Sequence, residues 1–187
     1  LRRVRTYEEK DRIFEINQVA AEFYHAALIK PGAAAKALEY AHKRGLSDKT
    51  IDDFELGFSP DAWEELKKHL TSIGYKEDEL VKAGVLIRGD DGTTHDRFRG
   101  KLMFSIRDER GHVTGFGSRV LDDSVPKYIN SPQTEVFDTS ACLYGINLAA
   151  PSIRKLDKAI IVEGYMDTLI AHQYGVTNVV AAMGTAV

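Results

Sequence analysis

The chain of 187 residues has a single cysteine, a single tryptophan and only five prolines. One cysteine, Cys142, excludes an internal disulfide, and the six histidines (His25, His42, His69, His95, His112 and His172) stand at no zinc-ligand spacing with it. No apolar run approaches the roughly 18 residues that a spanning helix needs, and the N-terminal Leu1-Arg2-Arg3 carries no apolar segment of a signal peptide. The expectation is a cytoplasmic protein with no membrane partner. An excess of positive charge is also lacking: the formal net charge is −3, which taken alone argues against a dedicated nucleic-acid binder. What remains, 43% hydrophobic and 28% charged, is the composition of an ordinary globular protein, and the length suits one domain, or one with a fragment of a second.

The mean charge conceals an asymmetry. From Asp48 to Asp96 six Lys or Arg face thirteen Asp or Glu, whereas from Arg97 to Lys127 seven face four. The acidic stretch belongs to a helical part at about residues 7–84. Apolar residues at Ile13, Ile16, Val19, Ala20 and Phe23 repeat at helical spacing up to Pro31-Gly32, and an alanine-rich helix ends at Gly45. Ser47 is a candidate N-cap for a short helix, Ser59-Pro60 opens another running to about Ile73, and a last one runs from Glu77 to Gly84.

Beyond Gly84 the period changes to two. The turn Gly89-Asp90-Asp91-Gly92 leads into β-rich runs at Lys101–Arg107 and His112–Leu121, an antiparallel hairpin across Asp108-Glu109-Arg110-Gly111. Residues 122–139 read as a long irregular connection. From Ala159 a buried-type strand, a helix from about Tyr165 to Tyr174 and a second strand at Asn178–Ala182 form a β-α-β unit, which the chain end at Val187 is expected to truncate. The fold class is therefore α+β: a mixed helical and antiparallel-sheet N-terminal subdomain over residues 1–156, its sheet part at about 85–156, and an α/β, Rossmann-like unit over 157–187.

Three segments can carry chemistry. In Glu163-Gly164-Tyr165-Met166-Asp167, two carboxylates converge where a strand ends and a helix begins, the oxygen-ligand set that suits a hard cation such as magnesium; alternatively Asp167 serves the helix dipole and Glu163 faces water. Arg97-Phe98-Arg99-Gly100-Lys101, if extended, puts Arg97, Arg99 and Lys101 on one face, with Arg119 of Gly115-Phe116-Gly117-Ser118-Arg119 across the hairpin. That row fits a phosphate backbone, and the glycines admit close approach by another chain; a solvated sheet face with a β-bulge is the plain alternative. The loop Pro126-Lys127-Tyr128-Ile129-Asn130-Ser131-Pro132 could hold a nucleotide through charge and a polar rim, or be an ordinary connection. Trp63, Phe14, Phe23 and Tyr24 read as core, and Cys142 as a small apolar residue.

In this order these segments, with Leu143-Tyr144-Gly145, resemble the RNA polymerase domain of bacterial DnaG-type DNA primases over about residues 8–187. Ser118 departs from the glycine more usual at its position. The resemblance implies an N-terminal subdomain against a Toprim fold, with single-stranded DNA template in a basic groove, and metal-dependent synthesis of short RNA primers from ribonucleoside triphosphates. By motif position, Glu163 and Asp167 match the family's first acidic, metal-site motif (Mg2+ or Mn2+), Arg97, Arg99 and Arg119 match groove positions, and Lys127 and Tyr128 match the pair near the initiating nucleotide. Lys101 and Asn130 are added from spacing, one to the groove and one to the nucleotide site. The family's remaining acidic motifs are expected beyond Val187, so this chain alone is expected to be catalytically incomplete; an upstream zinc-binding domain and a C-terminal contact to the replicative helicase would also lie outside it. The implied place of work is the bacterial nucleoid at the replication fork. Other Toprim enzymes, a nuclease or topoisomerase, and a non-catalytic single-stranded DNA-binding module are the competing classes.

Overall fold

A computed structural model describes residues 2–183 apart from 31 and 33, with side chains from residue 8 onward. The helix α1 (Arg2–Ile29) buries Ile13, Ile16, Ala20, Tyr24 and Leu28, a spacing of three and four that lays one stripe on the core. α2 (Ala35–Lys43) closes with Gly45 in the left-handed region, and α3 (Asp48–Asp53) opens with the Ser47 hydroxyl accepting from the Thr50 amide, both as the sequence indicates. Pro31, the expected stop after α1, lies outside the described residues.

The next segment departs from expectation. Gly57–Ser59 forms a strand, β1, and the chain stays non-helical until α4 (Glu65–Ser72). Ser59 is therefore no helix cap; its hydroxyl is spent on Lys101, accepting from the amide at 3.1 Å. The cap comes from thirty residues away: the Asp96 carboxylate accepts from the amides of Leu66 at 2.8 Å and Lys67 at 2.9 Å. A distant side chain of this kind leaves no local signature.

After α5 (Glu77–Lys82), the strands β2 (Leu86–Arg88) and β3 (Thr94–Asp96) pair as a hairpin across the turn expected at Gly89–Gly92. β4 (Lys101–Arg107) and β5 (Val113–Val120) form the larger hairpin. Among the described residues they join a four-stranded antiparallel sheet in the order β1-β4-β5-β6, in which β6 (Tyr128–Asn130) is an edge strand inside the segment expected to be irregular. Three residues between two prolines give no periodicity to read; pairing with Ser118 and its neighbours on β5 makes them a strand. Arg97–Gly100 in turn is not a strand: only Lys101 of that run lies in one, and the backbone bends at Arg97 and at Gly100.

Both faces of this sheet are covered, which is why β4 reads as a continuous apolar run rather than an alternating one. Met103 and Phe116 face α1, while Leu102, Phe104 and Ile106 join a second core with Phe54, Tyr144 and Tyr165. Thr114 is an extra residue in β5, since Ile106 pairs with Gly115 and Arg107 with Val113. The bulge frees two carbonyls, and buried Asn17 of α1 donates to both, at 3.2 Å (Val113) and 3.0 Å (Thr114).

A short strand β7 (Leu143–Tyr144) and α6 (Ile146–Leu156) lead into the β-α-β unit β8 (Ile160–Val162), α7 (Tyr165–Gln173) and β9 (Val179–Ala182). β8 and β9 are parallel as expected, with β7 antiparallel on the other side of β9. Among the described residues β8 is an outer strand with Ile160 and Ile161 exposed, not the buried strand expected, and Tyr174 is exposed too, although Met166 and Leu169 of α7 are buried.

Candidate functional site

Glu163 follows β8 and Asp167 lies in the first turn of α7, and both side chains are exposed. Between them Gly164 is the extended N-cap residue, and a Cβ there would sit 2.8 Å from Asp167 Oδ2, so the missing side chain leaves the carboxylate room to fold back over the turn. Two exposed carboxylates at the positive end of a nine-residue helix are an oxygen donor set that fits a hard divalent cation retaining part of its water shell. Among the described residues no third acidic, His or Cys ligand joins them.

Tyr165, between the two acids, turns the other way. Its ring is buried, stacked on Phe104 with centroids 4.4 Å apart and on Tyr128 at 5.8 Å. Its hydroxyl donates to Asn130 Oδ1 at 2.8 Å, and burial pushes its pKa well above the usual tyrosine value, so the proton is retained. Gly117 opposes Asn130 in the ladder, and a Cβ on it would collide with this hydroxyl; one on Gly115 would meet the Phe137 ring at 2.7 Å. The two glycines thus admit the protein's own aromatic rings, not the outside chain or ligand that the sequence suggested.

The basic positions fall into two groups. Arg119 pairs with Tyr128 across β5 and β6, and its guanidinium carbon lies 5.0 Å from the ring centroids of both Tyr40 and Tyr128. Arg99 sits 4.0 Å over the Trp63 ring and donates from Nη1 to the Asp96 carbonyl at 3.1 Å. Trp63 is therefore not core: it is 62% exposed, ahead of α4 rather than in it. Arg99 and Lys101 share a cleft of about 640 Å³ with Lys36, Asp61 and Asp122. Arg97 is half-buried with Nε unpartnered, and burial lowers its guanidinium pKa. Among the described residues Arg97, Arg99, Lys101, Arg119 and Lys127 have no carboxylate within ion-pair distance, whereas Arg12, Arg88, Arg107 and Arg154 do.

The structure therefore brings together Tyr128, Asn130 and Arg119 on one sheet face, with the Glu163–Asp167 turn joined to that face through Tyr165. It sets Arg97, Arg99 and Lys101 around the Gly100 turn instead of along a strand. Sequence reasoning passes over Tyr40 and Tyr165 and takes Trp63 as core. Tyr165 was visible within its motif but was read only for its flanking acids; Tyr40 lies four residues after Lys36 in a helix that otherwise looks featureless.

A family model described as the DNA primase catalytic core, N-terminal domain, matches residues 23–150, and one described as the Toprim domain matches residues 157–187. Among curated relatives, DNA primases of Deinococcus radiodurans and Clostridium acetobutylicum are 44% and 43% identical over 93% and 96% of the chain. The chain spans about 30% of their length. The solved RNA polymerase domain of Mycobacterium tuberculosis primase DnaG superposes with a TM-score of 0.89 at 39% identity, covering 94% of this chain and 57% of that one. A structure described as the DnaG primase catalytic domain bound to ssDNA gives 0.87 at 39% identity, covering 96% and 57%. With a catalytic-core model matched over most of its length and a Toprim start behind it, the chain belongs to the DnaG-type DNA primase family.

Proposed function

We propose that the chain forms the template- and nucleotide-holding part of an enzyme that synthesises short RNA primers on single-stranded DNA. The reading rests on the hydrogen bond from Tyr165 to Asn130, which ties the turn bearing Glu163 and Asp167 to the strand bearing Tyr128. Arg97, Arg99, Lys101 and Arg119, none of them ion-paired among the described residues, hold the phosphates of the template strand. Lys127 draws the phosphates of the incoming ribonucleoside triphosphate, while Tyr128 and Asn130 present a ring and an amide to its base or sugar. Glu163 and Asp167 would hold a divalent cation, Mg2+ or Mn2+, with ligands contributed from elsewhere in the enzyme. When bound, that ion supplies charge neutralisation and orientation of the reacting phosphate. The protein's own share is positioning: Tyr165, stacked on Phe104 and hydrogen-bonded to Asn130, ties the acidic turn to the sheet.

Glu163→Gln in the full-length protein tests the reading. Primer synthesis on single-stranded DNA with magnesium and ribonucleotides should fall by about a hundredfold or more, while DNA affinity stays within about twofold. Unchanged synthesis would remove Glu163 from the chemistry.

A further inference from the structure

The helical N-terminal part carries no chemistry by sequence, yet Tyr40 of α2 touches Arg119 of β5. Tyr40 of α2 and Tyr128 of β6 flank the Arg119 guanidinium at equal centroid distances of 5.0 Å. No carboxylate among the described residues lies within ion-pair distance of Arg119, and Arg119 Nε and Tyr40 Oη are both buried without a hydrogen-bond partner. A cation held by two ring faces keeps its charge and its in-plane donors but loses rotamer freedom. Tyr40 hence does for Arg119 what an acidic partner would do for its orientation, without cancelling the charge.

We propose that Tyr40 is a positioning residue: with Tyr128 it clamps the Arg119 guanidinium, whose Nε is buried, so that its terminal Nη donors present to a phosphate group. The phosphate belongs to nucleic acid backbone or to a nucleoside triphosphate, and the chemistry is shared. The inference deepens the proposed function, on which its choice of ligand rests; the clamp itself does not. Lys36, one turn earlier on α2, lines the cleft with Arg99 and Lys101, so the same helix borders both basic groups.

The test compares Tyr40→Phe, which keeps the ring, with Tyr40→Leu, which removes it, each in the wild-type and Arg119→Ala backgrounds of the full-length protein. Binding is measured for a fluorescent single-stranded oligodeoxynucleotide and, separately, for magnesium GTP. Tyr40→Phe should match the wild type within about twofold, since the hydroxyl has no partner to lose. Tyr40→Leu should weaken one of the two ligands by about three- to tenfold, and this loss should vanish in the Arg119→Ala background. Whichever ligand responds identifies the source of the phosphate. An equal loss for Phe and Leu, or a Leu effect that persists without Arg119, overturns the clamp. The Arg119 Nε–H resonance gives a readout independent of any ligand: it should be ring-shielded in the wild type and in Tyr40→Phe, and move downfield in Tyr40→Leu. An unshielded wild-type resonance overturns the clamp whatever the protein binds, whereas a shielded one with no nucleotide or DNA binding would count against the proposed function alone.

Discussion

The hydroxyl of Tyr165 donates to Oδ1 of Asn130 over 2.8 Å, and through that bond the first turn of α7 is joined to the edge strand β6. The bond spans 35 residues of sequence and two sheets, so the acids on either side of Tyr165 and the Lys127-Tyr128 pair keep a fixed relation. Gly117, lying under the hydroxyl, admits this arrangement where a side chain would block it.

Tyr165→Phe keeps the stacking on Phe104 and deletes only the hydrogen bond. The stability loss should be about 1 kcal/mol, measured by urea unfolding, since Asn130 is half-exposed and can turn to water. Primer synthesis by the full-length protein should fall about tenfold with DNA affinity unchanged. Synthesis equal to wild type would show that the bond serves the fold only.

Asp96 caps α4 from the end of β3, and its carboxyl is raised above the ordinary aspartate range because burial outweighs the amide hydrogen bonds from Leu66 and Lys67. A raised folded-state pKa means that the native protein binds the proton more tightly than the unfolded chain. The titration of this group therefore adds stability that is complete below the ordinary aspartate pKa and is lost as pH rises through the folded value. Asp96→Ala should cost about 1–2 kcal/mol through the lost cap. The gap between wild type and variant, followed by denaturant unfolding from pH 3 to pH 7, should narrow as pH rises; a gap that widens would contradict the sign.

Arg99 and Trp63 form a cation–π pair at the edge of the cleft. If Arg99 meets a template phosphate, Arg99→Ala should lower the slope of log affinity against log salt by about 0.7 for single-stranded DNA, and Arg97→Ala, Arg99→Ala and Arg119→Ala together by about 2. Trp63→Leu should weaken binding severalfold with the slope unchanged, as expected for a stacking platform. A triple variant with the wild-type slope would assign these arginines to the fold.

Much of the architecture was legible in the chain because it rests on local rules. The stripe from Ile13 to Leu28, the Ser47 cap, Gly45, the turn at Gly89–Gly92 and the β4–β5 hairpin each follow from spacing or turn chemistry within a few residues. The order of the motifs around Arg97, Arg119, Lys127 and Glu163 was likewise enough to place the chain in its family. What tertiary structure alone decided lies wherever a group is satisfied from far away. Residues 60–64 stay out of the helix because β1 takes Ser59 and Asp96 supplies the cap; Tyr128–Asn130 is a strand because β5 offers its edge; Trp63 is exposed beneath Arg99; and β8 pairs on one side only among the described residues. Local preference is a matter of a few tenths of a kcal/mol per residue, and a long-range hydrogen bond or a change from central to edge strand outweighs it.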